Sequence, residues 1–380
     1  MNPLRIAWAI AVMAALAAVG QPASASPGTQ IVQVSVGGGH TCARTSAGAA
    51  YCWGRNREGQ LGDGGFTARS VPQLVPGLGS GVRDIVAAGS ATCAVVRDGV
   101  WCWGSNPRGL LGVGDERYQR TPAPVSGLTA GVRSVALGIG RACAVLDDGG
   151  LRCWGANAHG AVGDGSTIDR TSPVAVTGLS GVVGAAVGDD HTCAVTGGGG
   201  FCWGGNTAGQ LGDGTTGDQS TPQPIPGLPA PLVQLAPDST HTCGLLRGGA
   251  VYCWGLNLHG ALGDGAGTDS TRPVRVAGLP GRASAVSTDF RSGCARVSAR
   301  AYCWGFNAFG KLGDGTELDR PVPVPVVGLP GPIRAVATGG SAACALTRPG
   351  QLWCWGHNQW GGLGDGTTAD HRTPASVVGF

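Results

Sequence analysis

Fourteen cysteines are the plainest chemistry in this 380-residue chain. They fall in seven pairs along the sequence: Cys42 and Cys52, Cys93 and Cys102, Cys143 and Cys153, Cys193 and Cys202, Cys243 and Cys253, Cys294 and Cys303, Cys344 and Cys354. Thiols in such numbers either hold metal or join as disulfides. Zinc sites use close pairs of the CxxC kind, and the sequence contains none. An even count in an exported chain favours disulfides. Two connectivities are open: seven bridges each inside one repeat, or seven between neighbouring repeats.

The other reactive side chains are sparse. His40, His191 and His241 precede Thr-Cys, where the remaining repeats carry Ala91, Arg141, Ser292 and Ala342. Positions so scattered do not assemble a metal site, and these histidines are read as structural. An LGDG loop supplies Asp63, Asp164, Asp213, Asp264, Asp314 and Asp365, with Val113 in the second unit. In five units another carboxylate follows, at Asp169, Asp218, Asp269, Asp319 and Asp370. Paired carboxylates on a glycine loop suggest calcium, which takes roughly six to eight oxygen ligands. The alternating acidic spacing of a calcium loop is missing, so turn capping is the expectation. No nucleophile elbow, phosphate-cradling loop or Ser/His/Asp set appears. The chain is therefore expected to be no enzyme, with no cofactor and no bound metal.

These residues ride on a repeat, CWGxNxxGxLGDG, whose tryptophans stand at Trp53, Trp103, Trp154, Trp203, Trp254, Trp304 and Trp355. A fixed period of this size marks a repeat architecture. Each unit holds four short extended runs; in the first they are Ile31–Gly37, His40–Thr45, Ala50–Gly54 and Pro72–Val75. Later units open at Val82, Val132, Val182, Leu232, Arg282 and Ile333. The second and third runs flank a Gly-bearing turn, a hairpin signal. The fourth begins near proline, which cannot donate to a ladder and so marks an edge strand. Four strands per unit suit a propeller blade. An open solenoid needs polar capping repeats at its ends, and the terminal units resemble the rest. The fold class is all-β: a seven-bladed β-propeller of four-stranded blades over residues 26–380. If blades exchange outer strands, Pro374–Val378 completes the blade begun at Ile31–Gly54.

Within the hairpin, Cys42 and Cys52 lie symmetrically about Ala47. Opposed β-carbons on paired strands stand close to the reach of a disulfide, so one clip per hairpin is the simplest connectivity. The repeated tryptophans are expected to pack blade on blade rather than to form a stacking platform. Asn56 and its equivalents are expected to cap their turns.

Residues 1–25 read as a signal peptide: Arg5, an apolar run from Ile6 to Val19, then Ala23-Ser24-Ala25 before Ser26. The run is short for a membrane span. The mature chain is expected to be secreted or periplasmic, soluble and monomeric. A net charge of +3 is too weak for a nucleic-acid footprint.

The pattern GxxHTC…YCWGxNxxGQLGDG, seen at Gly38–Thr41 with Tyr51–Gly64 and at His191–Cys193 with Cys202–Gly214, resembles the repeat of the regulator of chromosome condensation family. The resemblance covers the mature chain and implies a seven-bladed propeller. The family's eukaryotic founder is a nuclear guanine-nucleotide exchange factor for a small GTPase. The family also resembles secreted bacterial propellers that inhibit β-lactamases through one ring face.

Where the units differ is informative. Between Asn and Gly of NxxG, two residues change freely, as in Arg57-Glu58, Pro107-Arg108, Leu258-His259, Ala308-Phe309 and Gln359-Trp360. Residues released from scaffold duty beside a rigid turn can carry specificity. His259, Phe306, Phe309, His357 and Trp360 form an expected aromatic arc, and Arg57 and Arg108, with Arg55, a basic arc; both residue classes are favoured binding anchors. The function expected is an exported protein-interaction module that binds a protein partner through one face. The alternatives are a secreted inhibitor of an extracellular enzyme such as a β-lactamase and, by family analogy, an exchange factor.

Overall fold

The computed structural model describes residues 30–348 and 350–380; the signal segment expected at 1–25 lies outside them. Strands β1 (Ile31–Val36), β2 (His40–Thr45), β3 (Ala50–Gly54) and β4 (Arg69–Leu74) form the first antiparallel sheet in the order β1-β2-β3-β4. Six further sheets repeat that order. Each innermost strand touches those of both neighbours, and β1 touches Ile333–Gly339 of the seventh blade. The ring is closed.

The apolar core lies between blades rather than within them. One cluster joins Ile31, Val34 and Trp53 of the first blade to Cys344, Leu346 and Leu352 of the last. All seven tryptophans of the repeat are fully buried at such boundaries. Each indole Nε1–H donates across the boundary to a carbonyl of the preceding blade's LGDG loop, at 2.8–3.0 Å in every case. They are scaffold.

Every blade contains a disulfide within its own hairpin. Cys42 is joined to Cys52, Cys93 to Cys102, Cys143 to Cys153 and Cys193 to Cys202. Cys243 is joined to Cys253, Cys294 to Cys303 and Cys344 to Cys354. Their Cα–Cα separations are all 4.0–4.1 Å. The paired cysteines are direct cross-strand partners, in the close kind of antiparallel pair. Of the two connectivities left open by the sequence, the one within each repeat is therefore present; bridges between blades do not occur.

Three expectations need correction. The outer strand is not exchanged: Arg69–Leu74 pairs with β3, and His371–Ser376, overlapping the run at Pro374, pairs with Leu352–Gly356 of its own blade. The seam is sealed by side chains, which the repeated tryptophan makes possible without a shared ladder. The fourth strand also begins at Arg69, opposite Gly54, rather than at Pro72; a bulge after Cys52 lets the ladder start before the proline. Finally, the sixth blade opens at Ala283, one residue after Arg282.

Chain direction sorts the connections onto two faces. The turns between first and second strands and the long third-to-fourth loops share one, here the loop face; Arg55 N–H bonds Gly39 O at 2.9 Å there. The hairpin turns and the links between blades share the other, the hairpin face; Arg97 N–H bonds Gly81 O at 2.7 Å there.

Candidate functional site

The loop face is built on the repeated Asn. Asn56 is buried, accepts the Leu61 N–H through Oδ1 at 3.0 Å, and donates through Nδ2 to Asp63 Oδ1 at 3.0 Å. Six equivalents accept the matching N–H in the same way, from Asn106 with Leu111 to Asn358 with Leu363. The LGDG aspartate accepts the N–H two residues on, as Asp314 does from Thr316 at 2.9 Å. The later aspartate accepts the Asn N–H itself, as Asp319 does from Asn307 at 2.9 Å. These carboxylates are thus held by local donors, the work of a turn cap.

The glycine of NxxG anchors the loop to the next blade. Gly310 has φ 70°, and a β-carbon there would sit 2.5 Å from Arg372 Cα. Only glycine allows that approach. The loop is rigid, and its two variable residues project outward.

Those residues make contacts that each cross one blade boundary. His259 of the fifth blade meets Phe306 of the sixth at 4.8 Å between ring centroids. Phe309 of the sixth meets His357 of the seventh at 4.4 Å. Trp360 of the seventh lies under the Arg57 guanidinium of the first at 4.4 Å, a cation–π contact. The aromatic and basic arcs expected from the sequence therefore join at the seam. Arg108 stands apart, its Nε 3.8 Å from Asp169, and Arg55 is tied to Glu58 at 2.6 Å.

In three units the second variable residue is tied to the scaffold of the neighbouring blade. Arg108, His159 and His259 each reach the capping aspartate of a blade: Asp169, Asp218 at 2.7 Å and Asp319 at 2.6 Å, each in the blade that follows. Arg108, His259 and Phe309 also have φ values of 54°, 61° and 61°. Non-glycine residues in that region carry strain and gather at functional sites.

Three aromatics lie beyond the sequence expectation. Phe290 packs on Phe306 at 5.7 Å. It sits in a first-to-second-strand turn whose Phe290 and Arg291 N–H groups donate to the Asp238 carboxylate of the fifth blade. Phe66 and Tyr118 meet edge-to-face at 5.8 Å beside a cleft of about 480 Å³ that Arg57 and Pro107 also line. An aromatic in a turn that is glycine-rich in the first unit, at Gly37-Gly38-Gly39, is the available signal for Phe290. Phe66 and Tyr118 follow LGDG, where the units lose their likeness.

The titratable groups of this face divide into sealed and frustrated ones. His40 and His191 are fully buried, with Nε2 on Thr92 Oγ1 at 2.9 Å and on Thr242 Oγ1 at 2.7 Å. Burial pushes both down to about 3, so they are neutral struts. His241 lacks this partner because Gly293 stands where the threonine would be; its Nδ1 lies 2.9 Å from Asp238 Oδ2. At the mouth of the central channel, burial first and then Asp238 and Asp190 push Asp189 up to about 6. Lys311, the sole lysine of the chain, is buried with Nζ on the carbonyls of Asp289 at 3.1 Å and Gly340 at 3.0 Å.

Comparison with known proteins agrees with this geometry. A family model described as "RCC1-like domain" matches residues 13–330, and one described as "Regulator of chromosome condensation (RCC1) repeat" matches 333–361. The Ultraviolet-B receptor UVR8 of Arabidopsis thaliana is 30% identical over 261 residues, covering 67% of this chain and 48% of that protein. The probable E3 ubiquitin-protein ligase HERC4 of Rattus norvegicus is 32% identical over 255 residues, 66% of this chain and 20% of that protein. The chain thus spans half or less of these relatives. Among solved structures, human WBSCR16 superposes with TM-score 0.77 at 22% identity, covering 87% of this chain and 94% of that one. Prp20p of Saccharomyces cerevisiae, described with its binding to Gsp1p and histones, superposes with TM-score 0.71 at 22% identity, covering 82% and 80%.

Proposed function

The chain belongs to the family of RCC1-like domains, and on that premise we propose that it is a protein-interaction module that captures a macromolecular partner on its loop face. The observation that carries this reading is the run of boundary-crossing contacts His259–Phe306, Phe309–His357 and Trp360–Arg57. Aromatic and arginine side chains held on rigid loops make anchors at low entropic cost. Phe309 is 40% exposed despite its strained backbone, which favours a role in contact rather than in folding.

The site acts by binding rather than by catalysis. Buried His40 and His191 are locked on threonine hydroxyls, buried His241 lies against Asp238, and the loop carboxylates cap backbone N–H groups. Its place of action is an oxidising compartment reached by export, a reading supported by seven disulfides with no cysteine left free. The rigidity of the loops also favours a narrower reading, in which the partner is an extracellular enzyme occluded by this face.

The test is affinity capture from the envelope and medium of the producing cell, comparing wild type with the double variant Phe309→Ala/Trp360→Ala. Loss of the captured protein with an unchanged melting temperature is expected. Undiminished capture would eliminate the aromatic rim as the binding surface. Incubation of the mature protein with a panel of hydrolases separates an inhibitor from a scaffold.

A further inference from the structure

The hairpin face carries the opposite charge pattern from the loop face. In the second and third blades, two of its arginines are engaged: Arg83 pairs with Asp98, and Arg133 donates to the Asp147 carbonyl at 2.9 Å. In the fifth to seventh blades it presents Arg247, Arg282, Arg300, Arg334 and Arg348, all exposed. Every Asp and Glu of those three blades lies in loop-face turns and loops or, as Asp289, at the loop-face end of its strand. None of the five guanidinium groups meets a carboxylate or carbonyl among the described residues. A net charge of +3 for the whole chain conceals this arc, because the loop face is acidic.

The arc is shaped as well as charged. A cleft of about 590 Å³ in the fifth blade is lined by Gly248, Gly249, Leu279 and the guanidinium-bearing Arg275 and Arg282. A second, of about 560 Å³, repeats it in the sixth blade beside Arg300, under Gly328 and Pro330. The turns that bear the arginines are fixed to the inter-blade links, with Arg247 N–H on Pro231 O at 2.8 Å and Arg348 N–H on Pro332 O at 2.9 Å. Guanidinium groups match oxyanions in bidentate fashion, and those of Arg247 and Arg348 project from backbone that is fixed in place.

We infer that this arc binds an acidic polysaccharide, whose single negative charges enter successive clefts. Concave pockets receive the pendant groups of a chain, whereas a planar lipid surface does not reach into them. Single-stranded nucleic acid is held largely by stacking on aromatic side chains, and the hairpin turns and inter-blade links that flank these arginines carry none among the described residues. The site is on the face away from the aromatic rim and is independent of it.

The test is titration of the full mature chain with polygalacturonate, by fluorescence anisotropy at low and moderate salt. Binding is expected, with an affinity that falls as salt rises. The triple variant Arg247→Gln/Arg282→Gln/Arg300→Gln should lose about tenfold or more, as removal of several charge-assisted contacts requires. The triple variant Arg83→Gln/Arg97→Gln/Arg133→Gln, on the same face, should lose less than about twofold, since two of its arginines are already engaged. Unchanged melting curves establish that both variants fold. Absence of binding at about 50 mM salt, equal losses in the two variants, or tighter binding to oligothymidylate or to phosphatidylglycerol vesicles would each overturn the inference.

Discussion

The Trp53 indole donates to the Gly362 carbonyl at 2.9 Å, joining the first repeat to the last. Thr41 Oγ1 donates to the same oxygen at 2.8 Å. The pair recurs inside the ring, where Trp203 and Thr192 share the Ala161 carbonyl at 3.0 and 2.7 Å. Phe380 adds an edge-to-face contact with Tyr51 at 5.2 Å over the seam. The first and last blades are therefore fastened by the same device that fastens neighbours.

Equivalence of the seam and an internal boundary is measurable. Trp53→Phe and Trp203→Phe each remove one buried donor, costing about 0.5–1.5 kcal/mol plus a packing loss. Both should lower the melting temperature by similar amounts. A silent Trp53→Phe beside a costly Trp203→Phe would mean that the ring is open at its ends.

Each hairpin clip closes a loop of nine or ten residues. The chain-entropy model assigns such a loop about 2–3 kcal/mol. Replacing Cys143 and Cys153 together by alanine should lower the denaturation midpoint accordingly. Alkylation of the native protein should label no thiol; labelled cysteines in stoichiometric yield would refute the pairing.

Acidity separates two opposing contributions. His40 and His191 titrate near 6.5 when unfolded and at about 3 when folded. The unfolded chain takes up those protons first, so stability is lost as the pH falls from 6.5 toward 3. Asp189 behaves oppositely, because its folded value of about 6 exceeds its unfolded 3.8. The folded chain keeps a proton that the unfolded chain has released, so stability is lost as the pH rises from about 4 to about 6. Asp189→Asn should raise the melting temperature at neutral pH and leave it unchanged below about pH 4. A gain that is the same at both pH values would reject this assignment.

Strain at the rim offers a second handle. Phe309 sits at φ 61°, where a β-carbon costs about 1–2 kcal/mol. Phe309→Gly should therefore be more stable than Phe309→Ala by about 1 kcal/mol, although both lose the ring that faces His357. Equal stabilities in urea denaturation would show that the backbone there is unstrained.

Much of this architecture is legible in the residues themselves. The hairpin bridges follow from the symmetric placement of Cys42 and Cys52 about one turn, and the blade count follows from seven tryptophans. The outer strand is harder to place, because Pro72 reads as a strand start whereas a bulge at Gly54 lets pairing begin at Arg69. The rim reads as two arcs because Arg57 and Trp360 come from opposite ends of the chain and meet only when the ring closes. The tethering of Arg108 and His259 to the next blade's aspartates is likewise a tertiary contact with no local pattern. Variability at those positions resembles freedom, yet it includes side chains that do scaffold work.

Site-specific photocrosslinking tests the claim of a loop-face partner most directly. A benzophenone side chain placed at Gln359, on the rim, should crosslink a protein from the producing cell's envelope or medium. The same group at Gly198, in a hairpin turn on the opposite face, should not. Crosslinking of that protein from Gly198 and not from Gln359 would contradict the account.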